Sequence, residues 1–268
     1  FANLNPATEE IIGEVALRDD PQPSRGFAEV ALGREVDYVY DLRADFAQID
    51  APGFDILRVR TGSRTRFTGL EMGAPLAAID PAEIIEEKDG LTVRLPARIT
   101  RDDNQPLRLS FATALFSFAT TFTGEVLDSE REVLPQPVVG GDVGAALSTN
   151  SLRVLGRADA EPGVVRDLDL STPVLTPNGD GINDQLRIRY KLFRLPAPVP
   201  VALEVYALDG RVVARIDAGP QDAGPREITW GGRDQNGALL PPGLYLLNVV
   251  PRAEFAAPAR LRPLGIAY

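Results

Sequence analysis

Apolar residues recur at every second position over short stretches along most of the chain. Val36, Tyr38, Tyr40 and Leu42 form one such set, Leu91, Val93 and Leu95 another, and Leu186, Ile188, Tyr190 and Leu192 a third. Period two puts successive side chains on opposite faces of a strand, so each stretch has one buried and one wetted face. Further runs of this kind begin at Phe27 and at Gly53 (Phe54, Ile56, Val59, then Thr65 to Glu71), and two more cover Leu107 to Phe116 and Thr120 to Leu127. Ser151 to Leu155 reads as one more strand. No apolar period of helical length occurs.

The segment Asp80 to Gly90 has two readings. Asp80, Pro81 and Glu83 would cap and open a helix. Asp89-Gly90, followed by the alternation from Leu91 to Leu95, marks a hairpin. The hairpin is preferred because the alternation continues directly from the turn. Residues 1–26 read as an edge strand carrying Ile11, Ile12, Val15 and Leu17 plus a loop, or as an N-terminal arm. Pro135, Pro137, Gly140 and Gly141 loosen the chain, and Ala158 to Gly163 reads as a linker.

Many short strands with turn signals every ~8–12 residues predict an all-β chain of antiparallel β-sandwiches, of jelly-roll or immunoglobulin type. Two domains are expected, residues 1–165 and residues 168–268. The counts of Gly 24 and Pro 23 fit a turn-rich chain. Charge divides the same way. Residues 1–167 hold 28 Asp and Glu against 17 Lys and Arg, whereas residues 168–268 hold 10 against 11.

An acidic N-terminal half argues against nucleic acid as a partner, since phosphate binding needs clustered basic charge. The chain has no cysteine and no histidine. Disulfides, thiolate metal sites and every Ser-His-Asp or Cys-His mechanism are thereby excluded. No run approaches the ~20 apolar residues that span a bilayer as a helix. The chain opens on Phe1, and a cysteine-free, turn-rich β protein that opens so is compatible with export.

Candidate chemistry concentrates between Thr176 and Asp184, in the run Thr-Pro-Asn-Gly-Asp-Gly-Ile-Asn-Asp. A calcium loop sets oxygen ligands at alternate positions with a glycine at the sixth. Counting from Thr176, Asn178 is third, Asp180 fifth, Gly181 sixth, the Ile182 carbonyl seventh and Asp184 ninth. Thr176 is a poor first ligand, and no Glu stands at the twelfth place. The competing reading is a turn held by Asn and Asp side chains bonded to backbone N–H groups without metal. The pairs Asp102-Asp103 and Glu86-Glu87 read as solvated charge, and no catalytic residue is assigned. Trp230, Tyr206 and Tyr245 are expected in a core, and Tyr38 with Tyr40 offers only a pair of aromatics for stacking a sugar.

The C-terminal hundred residues carry a longer pattern. The run 176–184 is followed by Val201 to Val213 with Asp209-Gly210 at its turn, then Trp230-Gly231-Gly232-Arg233-Asp234, Asn236-Gly237 and Pro242-Gly243-Leu244-Tyr245. This combination resembles the immunoglobulin-like domain named after the flagellar hook-capping protein FlgD. It is similar also to the C-terminal sorting domains of type IX secretion cargo. One departure is that the acidic residue usual after the tryptophan is Gly231 here. The resemblance implies a β-sandwich module at the end of an exported bacterial protein, serving secretion, surface attachment or assembly through protein partners. The reading that follows is a non-catalytic extracellular or cell-surface protein. Its rival is a carbohydrate-binding or glycan-acting cargo in which residues 168–268 only direct export.

Overall fold

The computed structural model describes residues 10–46, 51–131, 134–157, 163–252 and 260–268. It divides into two compact units, Phe1–Ala158 and Asp159–Tyr268. Every element named below is a strand, as the period-two patterning requires.

The first unit runs β1 (Glu10–Leu17), β2 (Ala28–Ala31), β3 (Glu35–Asp45), β4 (Phe54–Arg60), β5 (Thr65–Met72), β6 (Ala77–Ala78) and β7 (Glu83–Glu87). It continues with β8 (Gly90–Ile99), β9 (Leu107–Ala114), β10 (Ala119–Thr121), β11 (Thr123–Leu127), β12 (Gln136–Pro137), β13 (Val139–Gly140) and β14 (Arg153–Arg157). One sheet has the order β13-β1-β3-β9-β5-β6 and a second β12-β11-β4-β8-β7, with a three-stranded sheet β10-β14-β2 besides. The segment at 80–90 is the hairpin: Glu87 pairs with Gly90, so Lys88 and Asp89 make the turn and Gly90 already belongs to β8.

Tyr38 and Tyr40 point into this unit and are fully buried. Tyr38 stacks on Phe111 at 5.7 Å between centroids and meets Phe122 edge-on at 5.3 Å. Offset and edge-to-face pairs of this kind add to the stabilisation from area burial alone. Around Tyr40 the chain keeps glycines, because a Cβ at Gly124 would stand 2.3 Å from the Tyr40 hydroxyl and one at Gly13 3.0 Å from it.

The second unit runs β15 (Val165–Leu170), β16 (Val174–Leu175), β17 (Leu186–Leu192), β18 (Val199–Ala207), β19 (Val212–Gln221), β20 (Gly224–Trp230), β21 (Gly243–Pro251) and β22 (Arg262–Ile266). Its sheets are β15-β17-β20 and β16-β22-β21-β18-β19. Leu186, Ile188, Tyr190 and Leu192 line one side of its core, with Leu203, Val205, Leu247 and Val249 from the larger sheet. Period two is obeyed along β17, where buried and outward residues alternate.

Two details differ from the sequence-based expectation. Most pairs are antiparallel, but β1 with β13, β2 with β14 and β16 with β22 are parallel. Each parallel pairing is two to four residues long and involves strands distant in sequence, which no local turn signal announces. Val164 and Val165 are buried in the core of the second unit, so its first strand starts upstream of the expected boundary at residue 168. Of the expected linker Ala158 to Gly163, only Gly163 is among the described residues, and of the N-terminal arm residues 1–9 lie outside them.

Candidate functional site

The turn at 176–184 joins β16 to β17. Gly179 and Gly181 take φ of 85° and 84°, and Asn183 takes 54°. Left-handed angles at alternate residues coil the segment tightly, and only Gly and Asn accept them at low cost. The coil closes when Thr176 N–H donates to the Asn183 carbonyl at 2.9 Å and Thr176 Oγ1 donates to the Ile182 carbonyl at 2.8 Å.

The four expected ligand residues come together, and they bind the loop itself. Asp184 accepts the Gly179 N–H on Oδ1 and the Gly181 N–H on Oδ2, both at 2.7 Å. Asp180 Oδ1 accepts the Ile182 N–H at 2.7 Å, and Asp180 Oδ2 accepts the Asn178 amide at 3.2 Å. Asn178 Oδ1 accepts the Asp180 N–H at 3.0 Å. Every side-chain oxygen of Asn178, Asp180 and Asp184 is thus engaged by a donor of the turn, and the Ile182 carbonyl is engaged by Thr176. Most of these bonds are Asx side chains accepting backbone N–H groups of the turn. Among the described residues no group of three or more carboxylates converges as a metal ligand set.

Next to the turn lies the end of β20. Trp230 is buried and donates its indole N–H to the Arg233 carbonyl at 2.8 Å, which anchors the following turn. A Cβ at Gly231 would meet only the Asp184 carbonyl oxygen, at 4.0 Å. The space beside Gly231 is therefore open, with the Asp184 carbonyl at its edge. Tyr245 is in the core as expected and donates its hydroxyl to the Pro241 carbonyl at 2.6 Å. Tyr206 is not: it is half-exposed and donates to Glu204 on the outer face of β18. Val201, Leu203 and Val205 are the residues of that strand in the core, so parity sends Tyr206 outward.

In the first unit the carboxylate pairs do not converge. Glu86 accepts the Phe67 N–H at 2.9 Å while Glu87 pairs with Arg60 at 3.0 Å, in keeping with adjacent residues on a strand facing opposite ways. Asp102 and Asp103 are exposed in their turn. Tyr38 and Tyr40 share a face, but it is the interior one, so they present no stacking platform.

Sequence reasoning missed a set of buried polar groups with structural roles. Asp41 takes a two-pronged ion pair from Arg108 at 2.6 and 2.7 Å. The Asp128 side chain is fully buried against Arg98 at 2.6 Å, and the Arg98 hydrogen bond holds its carboxyl below the usual carboxylate range. Glu14, also buried, accepts the Asn150 N–H at 2.8 Å, the Thr149 hydroxyl at 3.1 Å and the Val143 N–H at 3.3 Å. That clamp ties the stretch after β13 along β1. A glutamate between apolar neighbours in a strand (Ile11, Ile12, Val15) was the only sequence signal for it.

Comparison with known families places the FlgD Ig-like domain on residues 190–253. No curated protein matches the chain. Among solved structures, FlgD from Pseudomonas aeruginosa is similar at 24% identity, over 40% of this chain and 78% of that one, with a TM-score of 0.27. Dimeric latent PorU from Porphyromonas gingivalis is similar at 14% identity, over 96% of this chain and 34% of that one, with a TM-score of 0.33. The pilus backbone protein RrgB from Streptococcus pneumoniae is similar at 11% identity, over 96% and 57% of the two chains, with a TM-score of 0.29. The chain thus spans about a third of the PorU chain and just over half of the RrgB chain.

Proposed function

We propose that the chain is a non-catalytic structural or assembly protein of the bacterial cell surface, whose second unit mediates attachment, secretion or subunit assembly through protein partners. The observation that carries this reading is the FlgD Ig-like match over residues 190–253, which lies within the second unit. The side-chain chemistry agrees with it. The carboxylates of Asp41, Asp128, Glu14, Asp180 and Asp184 are all engaged in ion pairs or hydrogen bonds that hold the fold. Carboxylates engaged in this way hold the fold together. No helix of the described residues is long and apolar enough to cross a membrane.

The test is surface display in a bacterial host of the full chain beside a version ending at residue 158, where the first unit ends. Display is read by antibody labelling of intact cells and by protease shaving. Loss of labelling on truncation, with the first unit still made, supports the reading. Equal labelling of both versions, or a full chain that stays in the cytoplasmic fraction, overturns it. Turnover of a glycan or peptide panel that is abolished by changing one carboxylate would replace it with an enzymatic one.

A further inference from the structure

The second unit contains two Asn-Gly steps, Asn178-Gly179 and Asn236-Gly237, and both are solvent-exposed. A glycine after asparagine removes the Cβ that would hinder attack of its backbone nitrogen on the asparagine side chain. Both steps are open to water, so the difference between them lies in how each is held.

At Asn178 the reacting parts are pinned. The Gly179 N–H, whose nitrogen would attack, donates to the Asp184 carboxylate at 2.7 Å. A charged acceptor makes the stronger hydrogen bond and opposes loss of that proton. The Asn178 side chain is held at both ends, Oδ1 by the Asp180 N–H at 3.0 Å and Nδ2 by Asp180 Oδ2 at 3.2 Å. The same Asp184 takes the Gly181 N–H at 2.7 Å, so the adjoining Asp180-Gly181 step is restrained by the same carboxylate.

At Asn236 the restraint is lighter. The Gly237 N–H donates to a neutral acceptor, the Asp234 carbonyl, at 3.1 Å. The Asn236 backbone N–H is held by Asp234 Oδ1 at 2.8 Å, but its side-chain amide has no hydrogen-bond partner among the described residues. It is free to rotate toward the Gly237 nitrogen.

We propose that Asn236 is a site of spontaneous deamidation in the folded protein and that Asp184 protects Asn178 from the same reaction. The Gly237 nitrogen bonds to the Asn236 side-chain carbonyl carbon, the bond from that carbon to Nδ2 breaks, and Nδ2 leaves as ammonia with the proton from the backbone nitrogen. Water then opens the cyclic imide at either carbonyl, giving aspartate or its β-linked isomer. The net change is asparagine plus water to aspartate plus ammonium, with one negative charge added beside Asp234.

The experiment is peptide mapping of the full chain aged in mildly alkaline buffer, native and in denaturing urea, scoring replacement of NH2 by OH and the β-linked isomer at each step. In the native chain Asn178 is expected to react about tenfold more slowly than Asn236, the factor that about 1.4 kcal/mol of extra barrier supplies. In urea, where neither step is held, the two rates should converge. Asp184→Asn, which removes the charge and keeps the size, should raise the Asn178 rate in the native chain. Asn178 keeping pace with Asn236 in the native chain overturns the proposal. So does an unmodified Asn236 in the native chain after the time in which the urea sample has converted.

Discussion

Arg108 lays Nε and Nη2 on the two carboxylate oxygens of Asp41, at 2.6 and 2.7 Å, across the paired strands β3 and β9. Asp41 is only 7% exposed, so its carboxylate depends on Arg108 more than on solvent. Removing Arg108 leaves Asp41 buried without its counter-charge. Arg108→Met should therefore destabilise the first unit by about 3 kcal/mol, whereas replacing both members with apolar residues should recover most of that loss. Urea unfolding of the two single variants and the double variant checks this. Equal losses for the single and double variants would show that the pair's charge is not what matters.

Asp128 gives the first unit a pH dependence of defined sign. Its folded pKa is lowered by the Arg98 hydrogen bond, so the folded state binds this proton less readily than the unfolded chain. The stabilisation is complete above the ordinary aspartate value of about 3.9 and is lost as pH falls through the depressed folded value. Arg98→Met removes the cause. The variant should be less stable than wild type at neutral pH, and the difference should narrow steadily through acid. A constant difference from neutral pH to acid in circular-dichroism titrations would show that Arg98 acts by packing alone.

Tyr40 buries its hydroxyl without a hydrogen-bond partner, and burial pushes the phenol pKa up. An unsatisfied buried hydroxyl carries a desolvation cost, so Tyr40→Phe should fall within about 1 kcal/mol of wild type, on the stabilising side. Gly124→Ala places a Cβ 2.3 Å from that hydroxyl and 2.9 Å from Val138 Cγ2, and should cost about 1–3 kcal/mol through overpacking. The double variant should recover part of the loss, because phenylalanine withdraws the clashing oxygen. Purely additive melting shifts would mean that Gly124 is required for its contact with Val138 instead.

Much of this fold was legible because period two is local information. Leu186 to Leu192 and Leu91 to Leu95 announce their strands and their buried faces without reference to the rest of the chain. Tyr206 shows the same rule misapplied, since it stands one position beyond Val205 and a single step of parity separates core from surface. What lay beyond the sequence was long-range. The stretch after Pro135 reads as loose from its Pro and Gly content, yet Gly141 N–H donates to the Gly13 carbonyl at 3.1 Å and Glu14 reaches the Asn150 N–H at 2.8 Å. No residue near 140–150 signals a partner more than a hundred positions earlier. The acidic turn lies between these cases. Its residues and spacing stand out, but whether their oxygens meet N–H groups or a cation depends on backbone angles that composition does not give.

Those angles set the expectation for calcium at the turn. Asp180 and Asp184 are the only carboxylates it offers, and each of their four oxygens already accepts a hydrogen bond from within the turn. A cation would have to displace N–H donors that pull the coil together. Thermal unfolding of the full chain is therefore expected to give the same melting temperature in calcium and in chelator. A site at tenfold saturation would instead raise stability by about 1.4 kcal/mol in calcium alone. Asp184→Ala should lower stability by about 1–3 kcal/mol in both buffers, because two backbone donors lose a charged acceptor at once. Asp180→Ala, which frees one backbone N–H and one side-chain amide, should cost about 1 kcal/mol. A melting temperature that rises in calcium for wild type and not for Asp184→Ala would overturn the self-closed turn and establish these oxygens as ligands.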